Sequence, residues 1–395
     1  MEKGSFKLMK KMNQQIILNL IQKKGAISRT KIAKETNLAP ATVSNNVKSL
    51  INMGLVKEAK RGKSSGGRKP ILLELNPEGA FVIGFEWGIS TIKGVLLNLN
   101  NEIISFKEVF IDSYEIKQFI KKSIEMINFF KDEIENPDKV YGVGIGVHGL
   151  VNPKEGISRF APHFGWKDVS INDKLSDKIN LPLLIDNDVR MMALAEKWQG
   201  KDDFIFINTG PGIGAALVLK GNLRYGQDFS AGEFGHINIV ENGPLCSCGD
   251  YGCLESLISL EKLVKKYYQT ENNKVSIKSL QQKWENLILK AKNEDKTANH
   301  ILEDAGKHLG TGIAGIINLL NPESIIIGGF FVKAKNIIFP ILNERIEKKA
   351  LQVPGKRINI VSTKFNNKSG AVGAGIKVLQ EIFRLESRNE KLVQV

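Results

Sequence analysis

The chain has 395 residues and a formal charge of +14, with 42 % hydrophobic and 25 % charged residues, the balance of a folded, water-exposed protein long enough for two or three domains. Three cysteines, two of them one residue apart, argue against a secreted disulfide framework. No apolar run reaches the ~18 residues of a membrane span, and the opening MEKGSFKLMKKMNQQ lacks a signal-peptide core, so a cytoplasmic location is expected.

The charge is unevenly placed. Residues 1–79 hold 16 Lys or Arg against 5 Asp or Glu, whereas residues 80–395 hold 40 against 37. A positive field concentrated at one end suits a phosphate backbone, although a solvated lysine-rich face would give the same totals. The pattern says more. Residues 13–25 place Ile16, Ile17, Leu20 and Ile21 on one helical stripe that stops at Gly25. Ser28 is a good N-cap for a short second helix that buries Ile32 and Ala33. Pro40 suits the first turn of a third, with Val43, Val47, Leu50 and Ile51 inward and Gly54 at its end.

Two short helices joined by a tight turn, the second with short polar side chains outward, form a helix-turn-helix. Thr42, Ser44, Asn45, Asn46 and Lys48 are the expected exposed readers on the third helix, with Ser28 nearby. Residues 55–60 and 70–75 read as strands flanking the basic loop RGKSSGGRK, a wing whose Arg61, Lys63, Arg68 and Lys69 can reach phosphates or a narrow minor groove. A plain helical packing domain is the alternative, and the wing argues against it.

Asn76-Pro77-Glu78-Gly79 makes a domain joint. Three strands follow (80–87, 91–100, 102–110), then an amphipathic helix at 116–133 and a glycine-ended strand at 139–151. A similar theme returns at 202–226, and residues 306–329 put a long helix ahead of a buried strand ending in Gly328-Gly329. This order implies α/β architecture in two lobes with a cleft between them. Gly210, Gly212 and Gly214 in TGPGIG offer close approach and positive φ for a phosphate-cradling turn, but neither glycine run continues as a Walker loop. In LPLLIDNDVRMMALAEKW, Asn187 and Asp188 fall where a strand turns into a helix, a place where carboxylates face a ligand crevice; simple capping of the helix by Asp186 or Asp188 is the alternative. His236, Cys246, Cys248 and Cys253 gather a histidine and every cysteine of the chain into one stretch, a set suited to tetrahedral zinc. Glu233, His236 and Glu255 lie beside that cluster and can add acceptors for a polyol.

The run SAGEFGHINIVENGPLCSCGDYGCLE at 230–255, with the winged helix ahead of it, resembles the ROK family of repressors, open reading frames and sugar kinases, and within it the repressors of xylose operons. The resemblance covers nearly the full length. It implies an actin-like, ribonuclease-H-like two-lobed sugar-kinase fold behind the winged helix-turn-helix. Bounds of 1–77 for the reader, 78–188 for a small lobe completed by a C-terminal helix at about 376–395, and 189–375 for a large lobe with its zinc loop at 236–253 are expected. It also implies a structural Zn2+ on His236, Cys246, Cys248 and Cys253, and sugar contacts from His163, Asn187, Asp188, Glu233, His236 and Glu255. Asp188 stands where the kinases place their catalytic base. The first phosphate loop departs from the family's Asp-x-Gly-Gly-Thr-Lys: Glu86, Ile89 and Thr91 replace the Asp, the second Gly and the Lys. Phosphoryl transfer depends on charge and Mg2+ placed around the moving group, so catalysis with ATP and Mg2+ is not expected; Gly210, Gly212, Gly214, Gly328 and Gly329 remain for a nucleotide if binding is retained. His148 and His163 replace the proline and asparagine common in the family.

The leading expectation is a sugar-responsive repressor binding palindromic double-stranded operator DNA as a homodimer or dimer of dimers, released by a neutral monosaccharide, xylose first and glucose second. A ROK sugar kinase with a DNA-binding extension is the runner-up, and a scaffold protein explains neither the recognition helix nor Asn187-Asp188.

Overall fold

The computed structural model describes residues 3–61, 70–269, 277–352 and 358–384. The N-terminal domain is α1 (Lys3–Lys24), β1 (Ile27–Ser28), α2 (Arg29–Thr36), α3 (Pro40–Asn52), β2 (Val56–Arg61) and β3 (Ile71–Leu75), with the strands in the order β1-β3-β2. Ser28 caps α2 by accepting the Lys31 amide at 3.3 Å, Asn37 ends it in the left-handed region, and Pro40 opens α3. Ile17, Leu18, Ile21, Ile32, Val43, Val47, Leu50 and Leu73 close its core. Helix α1 begins well before its apolar stripe, and Ile16, expected inside, is exposed while Leu18 takes the inner position.

The next lobe is built on β4 (Phe81–Trp87), β5 (Thr91–Asn98), β6 (Ile103–Phe110), β7 (Val140–Val147) and β11 (Leu183–Asn187), in the order β11-β7-β4-β5-β6. Strands β4, β7 and β11 run parallel, and β5 and β6 return antiparallel. Helices α4 (Ile116–Asp132) and α5 (Ile171–Ile179) belong to this lobe, as does a small sheet not anticipated from sequence: β8 (Leu150–Asn152), β9 (Ile157–Ala161) and β10 (Trp166–Ser170).

The second lobe repeats the plan. Strands β12 (Phe204–Thr209), β13 (Ile213–Leu219), β14 (Asn222–Arg224), β15 (Ser324–Gly329) and β16 (Asn359–Ser362) are ordered β14-β13-β12-β15-β16, again three antiparallel strands continued by two parallel ones. Around it lie α7 (Leu254–Ile258), α8 (Leu260–Tyr268), α9 (Ile277–Lys292), α10 (Lys296–Leu320) and α11 (Lys335–Lys349).

Two helices tie the parts together. Helix α6 (Asp188–Trp198) leaves the end of β11, and α12 (Ser369–Arg384) crosses back from the second lobe onto the first sheet. Glycines make the crossing possible: a Cβ on Gly84 or Gly144 would lie 2.0 Å from the Ala371 or Ala374 carbonyl oxygen of α12. At its far end the Phe383 carbonyl of α12 accepts the Asn19 side-chain amide of α1 at 3.4 Å, and the Phe383 ring meets Trp198 at 5.8 Å between centroids. The winged domain is also held at its joint, where Leu99 donates its amide to Pro77 and Lys139 its ammonium to the Glu78 carbonyl. Among the described residues no helix is long and apolar enough to cross a membrane.

Candidate functional site

A cleft of about 950 Å3 lies between the lobes. Its floor on the first-lobe side is the junction of β11 and α6. Asn187 is the N-cap of α6: its side-chain oxygen accepts the Arg190 amide at 3.0 Å, and its amide group donates to Gly149 O and Asp188 Oδ1. Asp188 is buried, takes the Val189 amide on Oδ1, and faces His148 Nδ1 across 3.5 Å on Oδ2. The cap thus falls to Asn187 and not to Asp186 or Asp188, the candidates from sequence, and Asn187 and Asp188 both line the cleft.

His148, noted in the sequence only as a departure from the family's proline, lines the same cleft. Burial alone would pull its imidazole down. The hydrogen bond and charge of Asp188, followed by Glu255 and Glu233, outweigh that and hold it above an ordinary histidine. His163 packs 5.1 Å away between ring centroids and is pushed the other way, first by burial and then by His148. From the second lobe come Glu233, raised above the ordinary carboxylate range by burial first, and Glu255, whose Oε2 accepts the Ile213 amide and Oε1 the Ser247 hydroxyl. His148, His163, Asn187, Asp188, Glu233, His236 and Glu255 all line the one cleft.

The glycine runs meet beside it. Gly210 closes a turn onto the Gly212 carbonyl, and the Thr209 hydroxyl links this turn to the second run, donating to Gly328 O at 2.7 Å and accepting the Phe331 amide. Positive φ is not the reason for Gly210, Gly212 or Gly214; none adopts it, and Gly212 and Gly214 instead leave room for Glu255 and Val189. Gly329 does need it, at φ +82°. On the opposite wall the departed phosphate loop is filled by its own ions. Glu86 accepts the Lys93 ammonium at 2.8 Å, both side chains being largely enclosed. Burial works against the ammonium, but the charge and hydrogen bond of Glu86 prevail and keep it above an ordinary lysine. Ile89 is buried.

Beyond Glu233, His236 ends a short 3-10 turn, and Cys253 caps α7. The ligand atoms of His236, Cys246, Cys248 and Cys253 all lie within 4.8 Å of one another, with Cys246 Sγ 3.6 Å from His236 Nδ1 and Cys248 Sγ 3.7 Å from Cys253 Sγ. A tetrahedron with metal bonds of 2.0–2.3 Å has edges of about 3.3–3.8 Å, so this cluster can coordinate a metal ion. The chemistry agrees: burial and then the neighbouring thiols push Cys253 up to about 12, a cost that a cation among them removes. The same knuckle carries Glu255 two residues past Cys253, so a metal here would fix the Glu255 backbone.

On the winged domain, Ser44, Asn45 and Lys48 of α3 are exposed, Thr42 is half-buried, and Ser28 is half-buried at the start of α2. Asn46 departs from expectation. It is buried, its amide donates to Thr42 O at 2.8 Å, and its side-chain oxygen has no partner, because its position falls on the inner face with Val43, Val47 and Leu50. Arg61 ends β2; Lys63, Arg68 and Lys69 lie outside the described residues.

A winged helix ahead of a duplicated, sugar-kinase-like α/β fold defines a DNA-binding regulator with a small-molecule cleft. Residues 82–381 match the ROK family and residues 13–57 a winged helix-turn-helix DNA-binding model, and the chain belongs to the ROK family. It is 30 % identical over 371 residues to the xylose repressor of Bacillus subtilis, covering 92 % of this chain and 94 % of that one. A crystal structure of a ROK family transcriptional regulator, a homologue of the Escherichia coli MLC protein, superposes with a TM-score of 0.80 at 28 % identity over 95 % of this chain and 97 % of that one. A ROK glucokinase from Streptomyces griseus, solved with glucose and AMPPNP, matches 76 % of this chain and 100 % of its own, with a TM-score of 0.66 at 25 % identity. The protein is a sugar-related DNA-binding regulator of repressor type, allied to the family's repressors rather than its kinases.

Proposed function

We propose that this protein represses a carbohydrate-utilisation operon and is released from a roughly palindromic operator by a neutral aldose, D-xylose first and glucose second. The observation that carries the neutral ligand is the charge of the cleft. Each Lys or Arg lining it among the described residues is already paired: Lys93 with Glu86, Arg190 with Asp186 and Lys333 with Glu285. The groups nearest the β11–α6 junction are Asn187, Asp188, Glu233, Glu255 and imidazoles, with neutral hydroxyls and amides such as Ser90, Asn208 and Ser247 elsewhere on the lining, a set suited to hydroxyls, whose three carboxylates oppose a phosphate. The xylose preference rests on likeness to the xylose repressor of Bacillus subtilis.

A sugar held by Asn187 and Asp188 from one lobe and Glu233, His236 and Glu255 from the other favours one lobe arrangement over others. Helix α6 starts at the sugar pair, and α12 packs along it and ends at α1, which gives the arrangement a physical route to the DNA reader. Exposed Ser44, Asn45 and Lys48, with Thr42 beside them, face bases and phosphates; a homodimer or dimer of dimers doubles this small surface at spaced half-sites. The metal is zinc, chosen by three thiols and an imidazole, and its role is to fix the knuckle behind Glu233 and Glu255. Calorimetric titration with xylose, glucose, N-acetylglucosamine and their phosphates, with and without operator duplex, tests the reading. Xylose binding that leaves DNA affinity unchanged, or binding of a sugar phosphate alone, defeats it.

A further inference from the structure

Arg190 is the most enclosed cation of the cleft floor, with 3 % of its side chain exposed, and its guanidinium donates in three directions. Nε meets Asp186 Oδ1 at 2.7 Å, Nη2 the Val151 carbonyl of β8 at 2.9 Å, and Nη1 the Phe229 carbonyl of the second lobe at 2.8 Å. Asp186, fully buried, also accepts the Asn187 amide at 2.8 Å and the Tyr225 hydroxyl at 3.2 Å. That hydroxyl in turn accepts the Lys377 ammonium of α12 at 3.0 Å, and the Tyr225 ring lies 5.2 Å from the guanidinium.

The groups so joined belong to both halves of the sugar site. Asn187, the N-cap, and Asp188, the first residue of α6, lie just ahead of Arg190. Phe229 lies four residues before Glu233 and holds the left-handed φ of +59°, an uncommon state for a bulky residue that surrounding bonds must maintain. Gly232 docks the same segment on β13, where a Cβ would stand 2.0 Å from the Ala215 carbonyl oxygen. A buried ion pair adds little net stability compared with apolar side chains of the same volume, so stability alone does not account for the charge. A planar fork with fixed donor directions does what an ammonium cannot: it sets three acceptors from three elements at defined positions.

We propose that Arg190 is a positioning residue for the sugar site, fixing the Asn187–Asp188 pair of one lobe relative to Glu233 of the other and thereby setting which sugar hydroxyls are accepted. This rests on the reading of the cleft as a neutral-sugar site. Misplacing one wall by an ångström costs a bound polyol more than one hydrogen bond, so an affinity loss of about tenfold or more is expected.

The test uses the full chain and two variants, Arg190→Lys and Tyr225→Phe, with cooperative thermal unfolding as the check on folding. In titrations with xylose and glucose, Arg190→Lys should lose about tenfold or more in affinity for the preferred sugar and narrow the preference between the two. Tyr225→Phe should shift both in the same direction by a few-fold. Folded Arg190→Lys with unchanged affinity and preference overturns the proposal; if that variant fails to fold, unchanged preference in Tyr225→Phe does so. A parent protein that binds neither sugar refutes the reading of the cleft instead. Amide exchange then decides the positioning: exchange over 229–236 should quicken in the variants, and unchanged exchange overturns it.

Discussion

The neighbouring Asn45 and Asn46 on α3 provide a sharp test of the DNA reader, because chemistry makes them alike and the helix makes them opposite. Asn45 is exposed, and its amide can bond adenine with both groups, an interaction that contributes about 1–3 kcal/mol of discrimination. At about 1.4 kcal/mol per factor of ten, Asn45→Ala should weaken operator binding roughly 5- to 150-fold without lowering stability. Asn46 is buried, with one bond to Thr42 O and an unpartnered oxygen. Replacing it by Ala loses a hydrogen bond of about 1 kcal/mol and some packing, but relieves a buried carbonyl whose lack of a partner costs about 1–3 kcal/mol. These nearly cancel, so Asn46→Ala should change stability by no more than about 1 kcal/mol and operator affinity by less than about threefold. Denaturant unfolding and fluorescence anisotropy on operator duplexes at fixed salt measure both quantities. A large affinity loss in Asn46→Ala beside a silent Asn45→Ala would refute this facing of α3.

Three further outcomes follow from the cleft and the knuckle. Lys93→Met leaves the Glu86 carboxylate enclosed and unpaired, and should cost about 3–5 kcal/mol in denaturant unfolding; Glu86→Gln added to it should recover most of that, and a single-variant cost below about 1 kcal/mol would contradict the enclosed pair. Chelation of the knuckle metal, if it is held a thousandfold tighter than its free concentration, removes about 4 kcal/mol and should lower the melting temperature by on the order of 10 °C; an unchanged melt in metal-stripped protein argues against zinc. His148 titrates above an ordinary histidine, held there chiefly by Asp188 against burial, so its ion pair contributes stability that is full below the unfolded histidine pKa and is lost as pH rises through the raised folded value. The stability difference between the parent and His148→Gln should therefore shrink from acid towards alkaline pH, and a difference independent of pH would remove the pairing.

What can be read from the sequence is local. Ser28 as a cap, Pro40 at a helix start and Asn187-Asp188 at a strand-to-helix turn each depend on a few adjacent residues, and the structure places them so. The metal set is legible because every cysteine falls beside one histidine. Asn46 is misassigned to the outer face when its polarity is weighed above its period: it lies three residues after Val43 and four before Leu50, on the buried stripe. Other features have no local signal. His148 meets Asp188 forty residues on, Arg190 meets Val151 and Phe229 on either side in sequence, and β8–β10 are too short to show a period. Such pairings depend on how the two lobes close, which no window of sequence contains.

The geometry also suggests why a kinase-like cleft serves a repressor. Phosphoryl transfer needs a phosphate loop that accepts charge, and here Glu86, Lys93 and Ile89 occupy that wall themselves, which fits a cleft that, on the proposed reading, binds a sugar without phosphorylating it. The response then has to reach α1. Helices α6 and α12 cannot slide independently where Gly373 passes Met191, since a Cβ on that glycine would lie 1.6 Å from the Met191 carbonyl oxygen. Their shared far end touches the reader through the Asn19–Phe383 hydrogen bond, next to the Trp198–Phe383 contact. That hydrogen bond contributes about 0.5–1.5 kcal/mol, and the apolar cluster that α1 shares with Ile382 and Phe383 adds to it. Allosteric coupling of 5- to 150-fold requires only about 1–3 kcal/mol. A tie of this order meets what the proposed coupling of cleft to reader requires, and the Leu99–Pro77 and Lys139–Glu78 bonds at the joint give the winged domain a second fixed point about which α12 can act.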